Sequence, residues 1–183
     1  VFTQSRTVYQ KRVIGSGDRQ GQEIEVEIPT TLVSQIEFQN GALIDSFFSF
    51  DVWKHSKNPI ELYGDKGSIN IPDPNMFGGD ILVCKTKNGD WKNIDTKNNN
   101  LGKINFKHES AGFANYRGIG VSETVDAIKN NRLNRCSGEL SLHVLDILDS
   151  IIKSSKENKK IELRSAIKNL SYFSEDESSS LLK

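Results

Sequence analysis

Residues 23–28, EIEVEI, alternate strictly, so Ile24, Val26 and Ile28 line one face and Glu23, Glu25 and Glu27 the other. That pattern predicts a half-buried strand. Two more period-two runs follow, TTLVSQIEF and ALIDSFFSF, joined by Asn40-Gly41, a pair that accepts the positive φ angles of a tight hairpin turn. IELY and SINI flank Gly64-Asp65-Lys66-Gly67 as a second hairpin, and DILVCKT and DWKNID extend the meander. Residues 96–113, rich in Asn and Gly and without periodicity, read as a long surface excursion.

After that excursion the period changes. Val121, Val125 and Ile128 form a helical stripe with Ser122 as candidate N-cap and Asn130-Asn131 as the stop. A stronger helix starts at Ser137, carries Leu140, Val144, Ile147, Leu148 and Ile151 toward the sheet, and ends near Asn158. KIEL offers one more strand, and SEDESSSLLK has too little apolar content to order itself. Strands followed by helices predict an α+β fold rather than a doubly wound one. The expected organisation is a single domain over residues 1–170 with a flexible tail at 171–183.

Composition narrows the partners. Lys plus Arg equals Asp plus Glu at 24 each in 183 residues, so no basic field favours nucleic acid or an anionic membrane. No apolar run approaches the roughly 18 residues of a spanning helix. Cys84 and Cys136 are too isolated for a disulfide framework, which fits a reducing, cytoplasmic setting. The opening VFTQSRTVYQ has no initiator methionine and no signal-peptide core, so the chain reads as cut from a longer protein.

The candidate chemistry is sparse. Gly15-Ser16-Gly17 is followed by a strand rather than by the helix a phosphate-cradling turn needs, and Gly118-Ile119-Gly120 leads into a helix with no buried strand before it. Asp51 and His55 stand four apart, a spacing for proton transfer on a helix, but their segment leaves a strand and runs to Pro59, so a surface loop is the expected reading. His143 reads as a hydrogen-bonded, partly buried histidine near Glu139, and the three histidines show no ligand spacing with the cysteines. Arg117, Arg132 and Arg135 surround the first helix and would attract an anion if they converged, although pairing with carboxylates is the commoner use. Trp53 and Phe77 sit in or beside loops, where an aromatic ring packs on another element or on a ligand.

In succession, PIELYGDKGSINIPDPNMFGGD and YRGIGVSETVDAIKNNRLNRCSGELSLHVLDIL resemble the C-terminal domain of the glucose-fructose oxidoreductase and inositol dehydrogenase family (Gfo/Idh/MocA), with matching order from about Arg12 to Leu163. The resemblance implies an open, mostly antiparallel sheet with helices on one face, preceded by a Rossmann domain that binds NAD or NADP. Such members use a lysine of a Glu-Lys-Pro motif and often an Asp-x-x-x-His pair. This sequence has no Glu-Lys-Pro, and its Asp51–His55 pair falls after the Asn40-Gly41 hairpin rather than before the sheet, so neither role transfers.

The resemblance implies the substrate-binding and oligomerisation domain of an NAD(P)-dependent oxidoreductase acting on a sugar, polyol or related hydroxy compound. No catalytic, cofactor or metal residue is expected within this stretch, which alone should be inactive. Candidate substrate-lining residues are Asn75, Phe77, Trp53, His55 and Arg117, with the Pro72–Gly79 loop stiffened by two prolines and released by two glycines. A homodimer or larger assembly is expected through the sheet face opposite the helices, with Glu23, Glu25 and Glu27 making it polar if they lie there. The alternative is a non-enzymatic sheet module that binds carbohydrate or protein.

Overall fold

The chain turns sharply wherever the sequence supplies Asn-Gly or paired glycines, and those turns set the order of its strands. A computed structural model describes residues 1–108, 111–167 and 171–183. They group into two compact units: Val1–His55 with Gly138–Asn169, and Ser56–Ser137 with Leu170–Lys183.

The first unit contains β1 (Phe2–Arg6), β2 (Lys11–Val13), β3 (Glu23–Glu25), β4 (Thr31–Glu37) and β5 (Leu43–Ser49). β1, β4 and β5 form an antiparallel sheet in that order, while β2 and β3 pair as a separate ribbon. Asn40-Gly41 closes the β4–β5 hairpin as expected: Gly41 has φ 86° and its N–H donates to Phe38 O at 2.9 Å. Gly15-Ser16-Gly17 lies in the β2–β3 turn, where Ile14 N–H reaches Gln22 O. EIEVEI contributes only the short β3, and Ile24 and Ile28 are exposed, because its pairing within the described residues stops at β2.

The long helix of this unit spans Gly138–Glu157 and packs on β1. Its stop matches expectation, with Asn158 in the left-handed region at φ 50°. Its buried face matches in part: Ile151 is buried and Leu140 and Ile147 are half-buried as expected, but Val144 and Leu148 are exposed and Ser150 and Ser154 are buried instead. Hydroxyls decide the rotation. Thr3 N–H donates to Ser154 Oγ and Thr3 Oγ1 to Ser34 Oγ, both at 2.9 Å, and Ser154 Oγ donates to Lys159 O at 2.7 Å. These small side chains let the helix approach the strand closely, and the buried hydroxyls of Thr3, Ser34 and Ser154 are all paired. KIEL forms no strand; Ile161 and Val1 instead exchange two N–H···O=C bonds of 2.8 Å.

The second unit is a four-stranded antiparallel meander: β6 (Ile60–Gly64), β7 (Gly67–Ile71), β8 (Ile81–Cys84) and β9 (Lys92–Ile94). The stretch 96–113, read from the sequence as a long surface excursion, holds a 3-10 turn at Asn100–Gly102 and a ribbon of β10 (Phe106–His108) with β11 (Ala111–Phe113). Helix α1 (Ile119–Lys129) starts before Ser122 and caps on Gly118. With the long helix numbered α2, a third, α3 (Glu175–Leu181), lies within the stretch 171–183 expected as a tail. Ser174 Oγ accepts the Glu177 N–H while Glu177 Oε2 accepts the Ser174 N–H, a reciprocal cap that starts the helix without any apolar stripe. Antiparallel sheets with separate helices make the fold α+β.

Candidate functional site

Between β7 and β8 the chain runs through Pro72-Asp73-Pro74-Asn75, and its shape follows from turn chemistry. Asp73 Oδ1 accepts the Asn75 N–H at 2.9 Å, and Met76 N–H reaches Asp73 O at 3.2 Å. Gly78 and Gly79 then take φ 75° and 106°; a Cβ on Gly78 would stand 3.2 Å from Gly102 O, so glycine is needed there both for conformation and for space.

The loop is fastened on two sides. Phe77 N–H donates to Ala114 O at 3.3 Å. The Phe77 ring stands edge-on to Tyr116 at 5.8 Å, and the Tyr116 hydroxyl donates to Lys103 O at 2.8 Å. Arg117 Nη2 donates to both Asn75 O and Asn75 Oδ1 at 2.9 Å. This contact occupies the acceptor side of the Asn75 amide and leaves its Nδ2 donors for a ligand.

Beneath the loop is a cavity of about 310 Å³, whose walls include Ile71, Met76, Phe77, Leu101, Phe173 and Ser178. Its lining is mixed apolar and hydroxylic, with Asp73 and Glu175 contributing carboxylates and no lysine or arginine. The structure therefore brings Asn75, Phe77 and Arg117 together around one loop. Trp53 and His55 belong to the other unit, on the segment leaving β5; Trp53 is 95% exposed and His55 is exposed as well.

Asp51 is held as an architectural group. Thr30 and Thr31 hydroxyls donate to its Oδ2 at 2.6 and 2.7 Å and Arg12 Nη2 to its Oδ1 at 2.7 Å. Those bonds, the Thr30 hydroxyl first, hold its carboxyl below the ordinary range. His143 Nδ1 meets Ser165 Oγ at 2.8 Å, and that hydroxyl donates to Asp146 Oδ2 at 2.7 Å. Because the serine proton is committed to the carboxylate, this trio ties residues 164–165 to α2 rather than activating a nucleophile.

The arginines around α1 use a carboxylate that sequence reasoning missed. Glu123 is 1% exposed on the buried stripe with Ile119 and Ala127, while Val121, Val125 and Ile128, the expected core stripe, are exposed. Arg132 Nη1 and Nη2 donate to Glu123 Oε1 and Oε2 at 2.6 Å each, and Arg135 Nη1 adds a bond of 3.1 Å to Oε2. The Arg132 bonds, helped by the Arg135 backbone N–H, hold Glu123 at about 2 despite its burial. Two of the three arginines thus converge, on the protein's own carboxylate.

The described strand pairings are antiparallel, Gly15-Ser16-Gly17 joins two strands, and Gly118 follows Tyr116-Arg117 rather than a strand end, with Gly120 already inside α1. Among the described residues no group of three His, Cys, Asp or Glu could hold a metal ion, and no helix is long and apolar enough to cross a membrane. A family model described as the C-terminal alpha/beta domain of an oxidoreductase family matches residues 5–163. No curated protein and no solved structure matches the chain.

Proposed function

The chain belongs to the Gfo/Idh/MocA oxidoreductase family, as its C-terminal alpha/beta domain, and from that membership we propose that it forms the substrate-side and subunit-contact domain of an NAD(P)-dependent oxidoreductase acting on a sugar, polyol or related hydroxy compound. The observation that carries the substrate side is the Pro72–Gly79 loop, where Arg117 holds Asn75 through its two acceptor oxygens. The Nδ2 donors of Asn75 and the remaining guanidinium N–H groups of Arg117 suit hydroxyl oxygens, and Phe77 supplies an apolar wall for a sugar's C–H face. A loop stiffened by Pro72 and Pro74 presents these groups at low entropic cost. The cofactor would be NAD or NADP, supplying hydride chemistry through residues other than those of this chain; the role of these residues is to bind and orient. Cys84 and Cys136, both free thiols, support a reducing cytoplasmic location.

The test is Asn75→Ala in the full-length enzyme. We expect kcat/KM to fall roughly tenfold to a hundredfold, about 1.4–2.8 kcal/mol of lost transition-state stabilisation, with Tm unchanged. Unchanged kinetics would remove Asn75 from the substrate side, and a lowered Tm alone would make the loop architectural. Turnover by the isolated 183-residue chain would contradict the division of labour.

A further inference from the structure

We propose that residues Tyr172–Leu181 are a detachable strap that walls the cavity beneath the Pro72–Gly79 loop and holds the loop's underside in place. The proposal rests on the assignment of that loop to the substrate side for its functional meaning, but not for its mechanics. The strap lies beyond residues 5–163, the extent of the family match.

Three fastenings hold it. Arg135 bridges from the buried Glu123 to the strap, donating to Glu177 Oε1 at 2.5 Å and to Tyr172 O at 3.3 Å, with its guanidinium 4.7 Å from the Phe173 ring centroid. Asn100 is the second anchor: its N–H donates to Glu175 Oε2 at 3.2 Å, and its amide reaches Glu175 O and Ser179 Oγ at 3.0 and 2.7 Å. The third is Phe173 itself, which with Glu175 and Ser178 faces Met76, Phe77 and Leu101 across the cavity.

Two of these fastenings are ionic or hydrogen-bonded and the third is a single aromatic ring, and α3 has only seven residues. A helix that short does not persist in water by itself. Its order therefore depends on docking, so the strap has two states, seated and helical or released and uncoiled. Release removes Phe173, Glu175 and Ser178 from the wall together and opens the half-buried Phe77 further to water, beside a Met76 that is already exposed. Because Arg135 and Glu177 form a partly exposed pair, added salt favours release. Seating the strap thereby tunes how firmly the Asn75–Arg117 side of the loop is supported.

Amide hydrogen exchange on the 183-residue chain tests this, comparing the unchanged protein with Glu177→Gln and with removal of residues 171–183. Glu177→Gln keeps the side-chain volume and weakens both the cap and the Arg135 pair. The expected result is exchange roughly tenfold faster at Met76, Phe77 and Asn100 in both variants, and in the unchanged protein on raising salt, with the amides of β4 and β5 unaffected. Unchanged rates at Met76 and Phe77 would overturn the strap, as would acceleration spread evenly over both units. The readout does not depend on substrate: a loop that loosens while Asn75→Ala leaves kinetics intact keeps the strap and removes the substrate reading.

Discussion

Glu123 occupies a helix position where the pattern of Ile119 and Ala127 calls for an apolar side chain, and it is charged there because two guanidiniums meet it. Removing one member of such a buried set leaves uncompensated charge, so Glu123→Gln should cost about 3–5 kcal/mol, toward the lower end because Arg132 retains Asp126 and Arg135 retains Glu177. Chemical denaturation of the variant measures it. The same residues set an acid limit. Glu123 and Glu177 both drop from an ordinary 4.5 to about 2, the first chiefly through the Arg132 bonds and the second chiefly through the Ser174 N–H and Arg135. A depressed carboxylate contributes stability that is complete above its unfolded value and is lost as pH falls through its folded one. Tm should therefore decline between about pH 5 and 2, and Glu123→Gln should flatten that decline. In the sequence, the arginines around α1 were visible but their target was not. Arg132 and Arg135 lie nine and twelve positions beyond Glu123, past the helix stop, and a glutamate inside an amphipathic pattern reads as solvent-facing.

At the scale of elements, hairpins were legible and helix faces were not. Turn chemistry is local: Asn40-Gly41 and Gly64–Gly67 specify their geometry within four residues. Gly67 adds a tertiary reason, since it has φ 144° and a Cβ there would stand 2.4 Å from Cys84 O on β8, whereas a Cβ on Gly64 finds its nearest neighbour at 3.8 Å. Gly67→Ala should thus destabilise by about 2–3 kcal/mol and Gly64→Ala by no more than about 1 kcal/mol, read from thermal unfolding of the two variants. The rotation of α2 escaped because its seat on the sheet is built from Thr3 of β1, Ser34 of β4 and its own Ser154, which read as surface residues until their hydroxyls are seen bonded to each other and to backbone. β1 escaped for the same reason, its buried side chain being Thr3. α3 carried a readable signal, Ser174-Glu175-Asp176-Glu177, which is the capping-box pattern; its want of apolar residues outweighed that signal, and the docking partners that order it lie far away in sequence.

At the scale of the whole molecule, the open face of the β1–β4–β5 sheet is the proposed subunit contact. Alternation away from Thr3 and Ser34 puts Phe2, Val33 and Leu43 on it, all exposed, among Gln4, Gln35 and Asp45. Glu23, Glu25 and Glu27 are not part of that sheet; Glu23 and Glu25 sit on the β2–β3 ribbon, both near Lys11. Val33→Glu should convert an assembly into monomers by light scattering without lowering the melting temperature of the monomer, since the position does not face α2. A monomeric unchanged protein at all concentrations would remove the contact.

The seam between β1 and α2 also dictates an order of events at the ribosome. Thr3 bonds Ser154 across 151 positions and Val1 bonds Ile161 across 160, so β1 leaves the tunnel long before the helix it packs on. The β4–β5 hairpin and the β6–β9 meander can close on their own as they emerge, because their pairings are between neighbours. Until α2 has been synthesised, the hydroxyl-lined face of the first sheet has nothing to pack against and waits as a half-built layer. A nascent chain stalled between Ile94 and Gly138 would carry a closed meander and a first sheet that still lacks its helix layer.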